Sequence, residues 1–588
     1  MPTTWRPSRP PVDPVAAFAR KYIKVVPGWR DLFGIAPTWE SVLERIRQYP
    51  ISQLLLHVGH INAALSKSAD VQSQAQLCSE LFAPDGAEIW GRLVRFANTP
   101  ELEEAELTLF HPAQTLLLAK VALTHQSSDF STPCESLRPL AEALLMISDL
   151  AGSSQPNTLE HAAAMITASS LFHRVDVPTH GLARSVELYL TDWAELQDHP
   201  DYVNLPAELR RITGLEPDLL WLLLLALYGR LQAVPVTEFA HPFNVESFFN
   251  VRGDLVDDKE AAPIITPDEA ARLARHLRAT IPEFATLIRD SGFILESARL
   301  YDLAEFAEFP FIHHESKDIC LSQELLVKKL IDGVHYLFLS RDKTTHAERN
   351  RYLRFRGAVF ERYVDRILQR CFLPGNGFYT GLMSPPQVGN RRVRCCDAAW
   401  ASGDALVLLE IKGKQLDVQA RMGVRERLEQ KYEELFFDSA MQLDSTIRAF
   451  KAGDLVIDGV EPAQVTRFFP IIVTLENLTM EPLTHRFITE ELSRRSLLLG
   501  PETRPLQLLN VADLEILEAG LGRGLKLLHI LAKKQDLDVW RGASFKNFFL
   551  HQYPSYFKDI KNSHLVSVFE RQTDRALAQF EARRHAQR

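Results

Sequence analysis

Cysteine is scarce in this 588-residue chain, with six residues at Cys78, Cys134, Cys320, Cys371, Cys395 and Cys396. No two form a Cys-x-x-Cys pair and no histidine-rich segment accompanies them. The spacing therefore makes neither a zinc site nor a secreted disulfide framework, and reduced thiols in a cytoplasm are expected. Long apolar runs are missing too. The longest, LLWLLLLALY from Leu219 to Tyr228, is too short to span a bilayer and suits a buried core helix. The first residues, MPTTWRPSRPPVDP, contain no apolar stretch of the kind a signal peptide needs. Basic charge is not in excess either: 66 Lys and Arg against 75 Asp and Glu leave a net charge of −9. That excludes a uniformly basic coat for nucleic acid but leaves room for a local basic surface.

What is present is enough chain for two to four domains. Residues 1–234 read as a helical regulatory or targeting region. Segments such as PLAEALLMISDLAG space their apolar residues by three and four. The acidic run Glu101 to Glu106 reads as a solvated helix face. Residues 235–343 read as a mixed connector. It contains a turn-rich stretch, HPFNVESFFNVRGDLVDDKEAAP, and a helix opening at Thr266-Pro267. A short β-hairpin and a helix follow; its adjacent His313 and His314 point to opposite faces of a strand and are not expected to ligate a metal. Residues 344–500 are strand-rich, and 501–588 form a basic helical tail. In that tail Lys533 and Lys534 are interleaved with Phe545, Phe548, Phe549, Tyr553 and Tyr556, aromatics that suit a helical core.

The chemistry concentrates at ALVLLEIK, Ala405 to Lys412. Five apolar residues predict a central strand covered on both faces. Glu410 and Lys412 then break the pattern on one face, with Leu406 and Leu408. The preceding segment RRVRCCDAAW predicts a neighbouring strand. A turn at Ser402-Gly403, or a four-residue loop, pairs Trp400 with Ala405 and sets Asp397 opposite Leu408, diagonal to Glu410. Two carboxylates there can share a divalent cation. Hard oxygen ligands suit Mg²⁺, with Mn²⁺ as a substitute. Upstream, Gly357 to Cys371 predicts an amphipathic helix with Glu361 at the edge of its apolar stripe, aimed towards the metal. Downstream, the helix Leu428 to Phe450 carries Gln442. The alternative is an ion pair of Glu410 with Lys412 at the sheet rim and Asp397 capping a turn.

The order helix, strand, hairpin strand with a charged end, helix, strand resembles the PD-(D/E)XK nuclease superfamily over roughly residues 349–478, about a fifth of the chain. The pattern falls on Asp397, Glu410 and Lys412, with Cys396 where proline is usual. Glu361 matches the helix acid of many members and Gln442 a glutamine of some subgroups. Lys414 supplies a second nearby lysine. The resemblance implies a restriction-endonuclease-like α/β domain whose mixed central sheet is flanked by helices; with the patterning on either side, the expected fold class is α+β multidomain, with a mostly helical N-terminal half and a helical C-terminal tail. It implies Asp397, Glu410 and Lys412 as catalytic residues, with Asp397, Glu410 and Glu361 as metal ligands. Metal-dependent hydrolysis of phosphodiester bonds is the expected activity, on DNA before RNA, and regulated antiviral defence in bacteria is a setting suggested by analogy. Arg351, Arg354, Arg356, Lys533 and Lys534 are candidate nucleic-acid contacts. The helical half is a candidate surface for a protein partner or oligomer. No membrane association is expected. A non-catalytic scaffold or sensor with an inert nuclease fold, or a toxin-like RNase, are the rival functions.

Overall fold

The computed structural model describes residues 24–586 except 68–69, 99–105, 126–132, 152–177, 234–243, 251–264, 340–343, 373–377, 382, 384–386, 389–390, 393–394, 422–424, 476–477, 479 and 558–560. Five residues of the acidic run, much of the turn-rich stretch before Thr266 and the first 23 residues lie outside that set. The protein is mixed α+β, largely helical, with one mixed sheet of three strands and another of five.

The first hydrophobic core joins distant parts of the sequence. Helices between Trp29 and Ala151 share it with the three-stranded sheet of Arg278–Thr280, Phe311–His314 and Lys317–Cys320. The expected hairpin is present. Its two-residue turn places Glu315 and Ser316 at φ 47 and φ 60, a conformation that ordinarily selects Asn-Gly. His313 hydrogen-bonds buried Asp318 across the hairpin at 2.8 Å. Lys120, fully buried, reaches Asp302 at 2.7 Å and Glu305 at 2.9 Å, so its charge is compensated where water is absent.

The larger sheet has strands β1 (Phe378–Thr380), β2 (Ala398–Ser402), β3 (Ala405–Lys412), β4 (Arg467–Thr474) and β5 (Gln507–Asn510), in spatial order β5-β4-β3-β2-β1. β3, β4 and β5 are parallel, and β2 runs antiparallel to β3 and to β1. Helix α1 (His346–Cys371) and helix α3 (Val511–Gly522) cover one face, where Val407, Leu409 and Ile411 meet Val359, Phe360 and Leu514. Helix α2 (Asp438–Ala452) and the helix Pro482–Arg494 cover the other, where Leu406, Leu408 and Ile472 meet Leu443, Ile447 and Ile488. Two covered faces explain the unbroken apolar run of β3. α1 starts with a reciprocal cap between Thr345 and Glu348, and α2 stops at Gly453, whose φ of 78 suits the helix end.

β5 lies beyond residue 500, inside the segment expected from its composition to be a C-terminal helical tail. The helices from Pro178 to Ala233 likewise share a core with α1 and the sheet, to which the first helices of the chain contribute Ala63. Glu515 of α3 ties this unit together, accepting from Arg184 and from the Tyr363 hydroxyl, both at 2.7 Å. Leu219 to Tyr228 falls within the helix Pro217–Ala233, and most of its side chains are buried. No single helix among the described residues is long and apolar enough to cross a membrane. All six cysteines are free of disulfides.

Candidate active site

β2 and β3 meet through a two-residue turn, Gly403-Asp404, in which Gly403 supplies the positive φ of 59. Ser402 therefore pairs with Ala405, and Trp400 with Val407. This corrects the expected pairing of Trp400 with Ala405 by two residues. A shift of two preserves the face of every side chain. It also moves Asp397, just beyond the last ladder pair Ala398–Leu409, from opposite Leu408 to directly across from Glu410.

Asp397 is pinned. Its N–H donates to the Leu409 carbonyl at 3.0 Å, its carbonyl accepts from Met383 at 2.8 Å, and its Oδ2 accepts from the Ile411 N–H at 2.6 Å. Burial pushes its carboxyl above the usual range, opposed by the Ile411 N–H and the Lys412 charge. Glu410 is only 1% exposed, so it is an interior carboxylate and not a rim residue. Its Oε1 accepts from Lys412 Nζ at 2.5 Å, whereas its Oε2 is buried without a hydrogen-bond partner. Burial first, and then the neighbouring Asp397, push the Glu410 carboxyl up to about 8.

Glu361 reaches this group because α1 lies very close to the end of β3. A Cβ on Gly413 would stand 3.1 Å from the Gly357 Cα and 3.3 Å from the Phe360 Cβ. One turn beyond Gly357, Glu361 is half-buried. Burial, then the charge of Asp397, push its carboxyl up to about 7, while Lys412 opposes the shift. Buried Arg356 adds a second tie, donating to the Gly413 carbonyl at 3.4 Å and to the Tyr189 hydroxyl at 3.3 Å.

On the other face, Gln442 of α2 accepts from Lys412 Nζ at 3.2 Å, so the lysine lies between Glu410 and Gln442. A π-helical turn, Glu433–Phe437, leads into α2. Four residues beyond Gln442, buried Thr446 accepts from the Cys396 N–H at 2.8 Å and donates to the Gln442 carbonyl at 2.8 Å. Sequence reasoning missed Thr446, Gly357 and Gly413; the four-residue spacing from Gln442 was the one available signal for Thr446. Lys414 is not in the group. It is 65% exposed and faces Glu434 at 3.6 Å.

The basic candidates divide. Arg351 donates to the Tyr202 carbonyl, Arg354 forms a two-pronged pair with Asp201, and Lys533 lies 4.9 Å from the Tyr553 ring centre. Arg356 and Lys534 are buried, and Lys534 donates to the carbonyls of Trp540 and Arg541. Neither is a surface contact for a phosphate chain, which corrects that expectation: both side chains are hydrogen-bonded inside the protein, and burial pulls the Lys534 ammonium down to about 7. Phe545, Phe548 and Phe549 are core residues.

Among the described residues, no three His, Cys, Asp or Glu side chains come together tightly enough to hold a metal ion. Asp397 and Glu410 are a facing pair instead. A hard cation such as Mg²⁺ needs only one or two protein carboxylates because it keeps waters and takes substrate oxygens. The unpartnered buried Oε2 of Glu410 fits that donor set. Compared with family models, curated proteins and solved structures, the chain matches none.

Proposed function

We propose that this chain is a metal-dependent nuclease of the PD-(D/E)XK type, with DNA as its preferred substrate. The observation that supports the reading best is a half-buried carboxylate, Asp397, across from a buried one, Glu410, with a lysine bonded to Glu410 and one buried Glu410 oxygen left without a partner. Burying such a group is costly, and a purely structural role gives no return for it.

In this reading Asp397 and Glu410 would hold Mg²⁺ or Mn²⁺ from the sheet, with Glu361 approaching from α1. The cation, when bound, supplies a polarised phosphoryl oxygen and a water of lowered pKa. The chain's own residues do the rest. The Ile411 N–H holds one oxygen of Asp397, which fixes the carboxylate beside Glu410. Gln442 and Glu410 fix the Lys412 ammonium at the end of β3, where it can orient the attacking water or offset charge developing on phosphorus. The regulatory helical half and a setting in bacterial antiviral defence remain parts of the proposal.

The purified 588-residue chain incubated with supercoiled plasmid, and separately with single-stranded RNA, tests the reading. Plasmid should be nicked or linearised with Mg²⁺ or Mn²⁺ and left intact in EDTA. Undiminished cleavage by metal-free protein in chelator, or no cleavage of either substrate with any divalent cation, overturns it. Cleavage of RNA alone transfers the activity to the RNase reading.

A further inference from the structure

We infer that Thr446 is a positioning residue for the metal-facing pair, setting Asp397 against Glu410 through the backbone of Cys396. The inference rests on the nuclease reading for its effect on turnover, but the placement itself does not.

The β2–β3 ladder stops at Ala398–Leu409, so Asp397 and the residues before it are held by other bonds. Thr446 supplies the bond for Cys396, immediately before Asp397, at 2.8 Å. Thr446 and Cys396 are each 0% exposed, so water cannot replace that bond. The same hydroxyl donates to the Gln442 carbonyl. Two residues on one face of α2, four apart, thus act on the two halves of the site. The Gln442 side chain holds Lys412, and the Thr446 side chain holds the chain entering Asp397. The helix thereby fixes the spacing between the lysine and the carboxylate contributed by the neighbouring strand. Side chains and backbone groups that orient metal ligands in this way typically change metal affinity or activity about 10- to 100-fold when removed.

Thr446→Val keeps the shape and removes the hydroxyl, and Thr446→Ser restores the hydroxyl. Three readouts are taken on the full chain: Mn²⁺ affinity by electron paramagnetic resonance, kcat and KM on plasmid DNA, and hydrogen exchange of the Asp397 and Ile411 amides in EDTA. T446V should bind Mn²⁺ about 10-fold more weakly and lose kcat by about 10-fold with KM unchanged. Its Asp397 and Ile411 amides should exchange faster, and T446S should recover all three. Parental exchange rates in folded T446V overturn the placement, whether or not the protein cuts DNA. Faster exchange with unchanged kcat and Mn²⁺ affinity overturns the functional role. A parental chain that neither binds Mn²⁺ nor cleaves removes the nuclease reading and leaves exchange to decide the placement. If neither T446V nor T446A folds while T446S does, the residue is structural and the inference falls.

Discussion

Glu410→Gln should stabilise the metal-free protein while abolishing its cleavage activity. A carboxyl that ordinarily ionises near 4.5 is held up to about 8 by burial and by Asp397. At pH 7 it stays protonated in the folded chain and would ionise in the unfolded one. The 2.5 pH units between 4.5 and 7, at about 1.36 kcal/mol each, withhold about 3 kcal/mol of folding free energy. Glutamine has no such proton to lose and offers Lys412 a neutral oxygen, as the protonated glutamic acid does. The gain of about 3 kcal/mol corresponds to a rise of about 2–6 °C in melting temperature. Because the folded value lies above the ordinary one, the parental cost is absent below about pH 4.5, grows as pH rises and levels off above about 8. The gap between E410Q and parent in EDTA should follow that curve. Adding Mn²⁺ should raise the parental melting temperature and leave E410Q unmoved, since only a ligand bound by the folded state stabilises it. An E410Q protein less stable than its parent at pH 7.5 in EDTA, or a gap that stays flat from pH 5 to 8, refutes the reasoning.

Lys412→Ala should fold, bind Mn²⁺ and DNA, and lose roughly 100-fold or more in kcat; parental turnover would remove the lysine from the mechanism. Gly413→Ala should press α1 away from β3 by a few tenths of an ångström, costing about 1–3 kcal/mol of stability. Cleavage by G413A should fall about 3- to 10-fold, and steady-state kinetics that match the parent would show that the Gly357–Gly413 approach does not place Glu361. In the distant hairpin, Glu315→Asn combined with Ser316→Gly relieves two left-handed residues and should raise stability by about 1–2 kcal/mol with cleavage unchanged. Denaturant melts of the double variant check this.

The central strand and its charged end were legible because a run of apolar residues followed by Glu-x-Lys fits a strand covered on both faces that ends at a polar site, and fits little else. The hairpin register was not, because Ser402-Gly403 and Gly403-Asp404 are both acceptable turns by composition. The difference of two kept Asp397 on the correct face, so the error concerned the distance to Glu410 rather than the membership of the site. Arg356 and Lys534 were misplaced for another reason. A count of basic residues carries no information about burial, and each of these side chains hydrogen-bonds to groups far away in sequence or to backbone carbonyls. The fifth strand was hidden because Gln507–Asn510 is four residues long and borders a helix of ordinary composition. Thr446 was signalled only by its four-residue spacing from Gln442; its meaning lies in a hydrogen bond across fifty residues to Cys396.

The core that supports α1 and the sheet includes residues as far apart as Leu182 and Ala576, and the last helix, Ser563–Ala586, packs on the helix Pro178–Val186. A ribosome adding about 5–20 residues per second takes roughly 10–30 s to travel from Lys412 to the end of that helix. For roughly the first half of that interval the site's residues exist but the sheet lacks β5, and until its end the core lacks the complete helix Ser563–Ala586. A chain that cuts nucleic acid would thus be harmless to the cell making it until the helix Ser563–Ala586 has been made. Ribosome-stalled chains ending near residue 500 should be cleaved by protease around 405–412 and show no nuclease activity, whereas chains carried to residue 588 should resist protease there and cut.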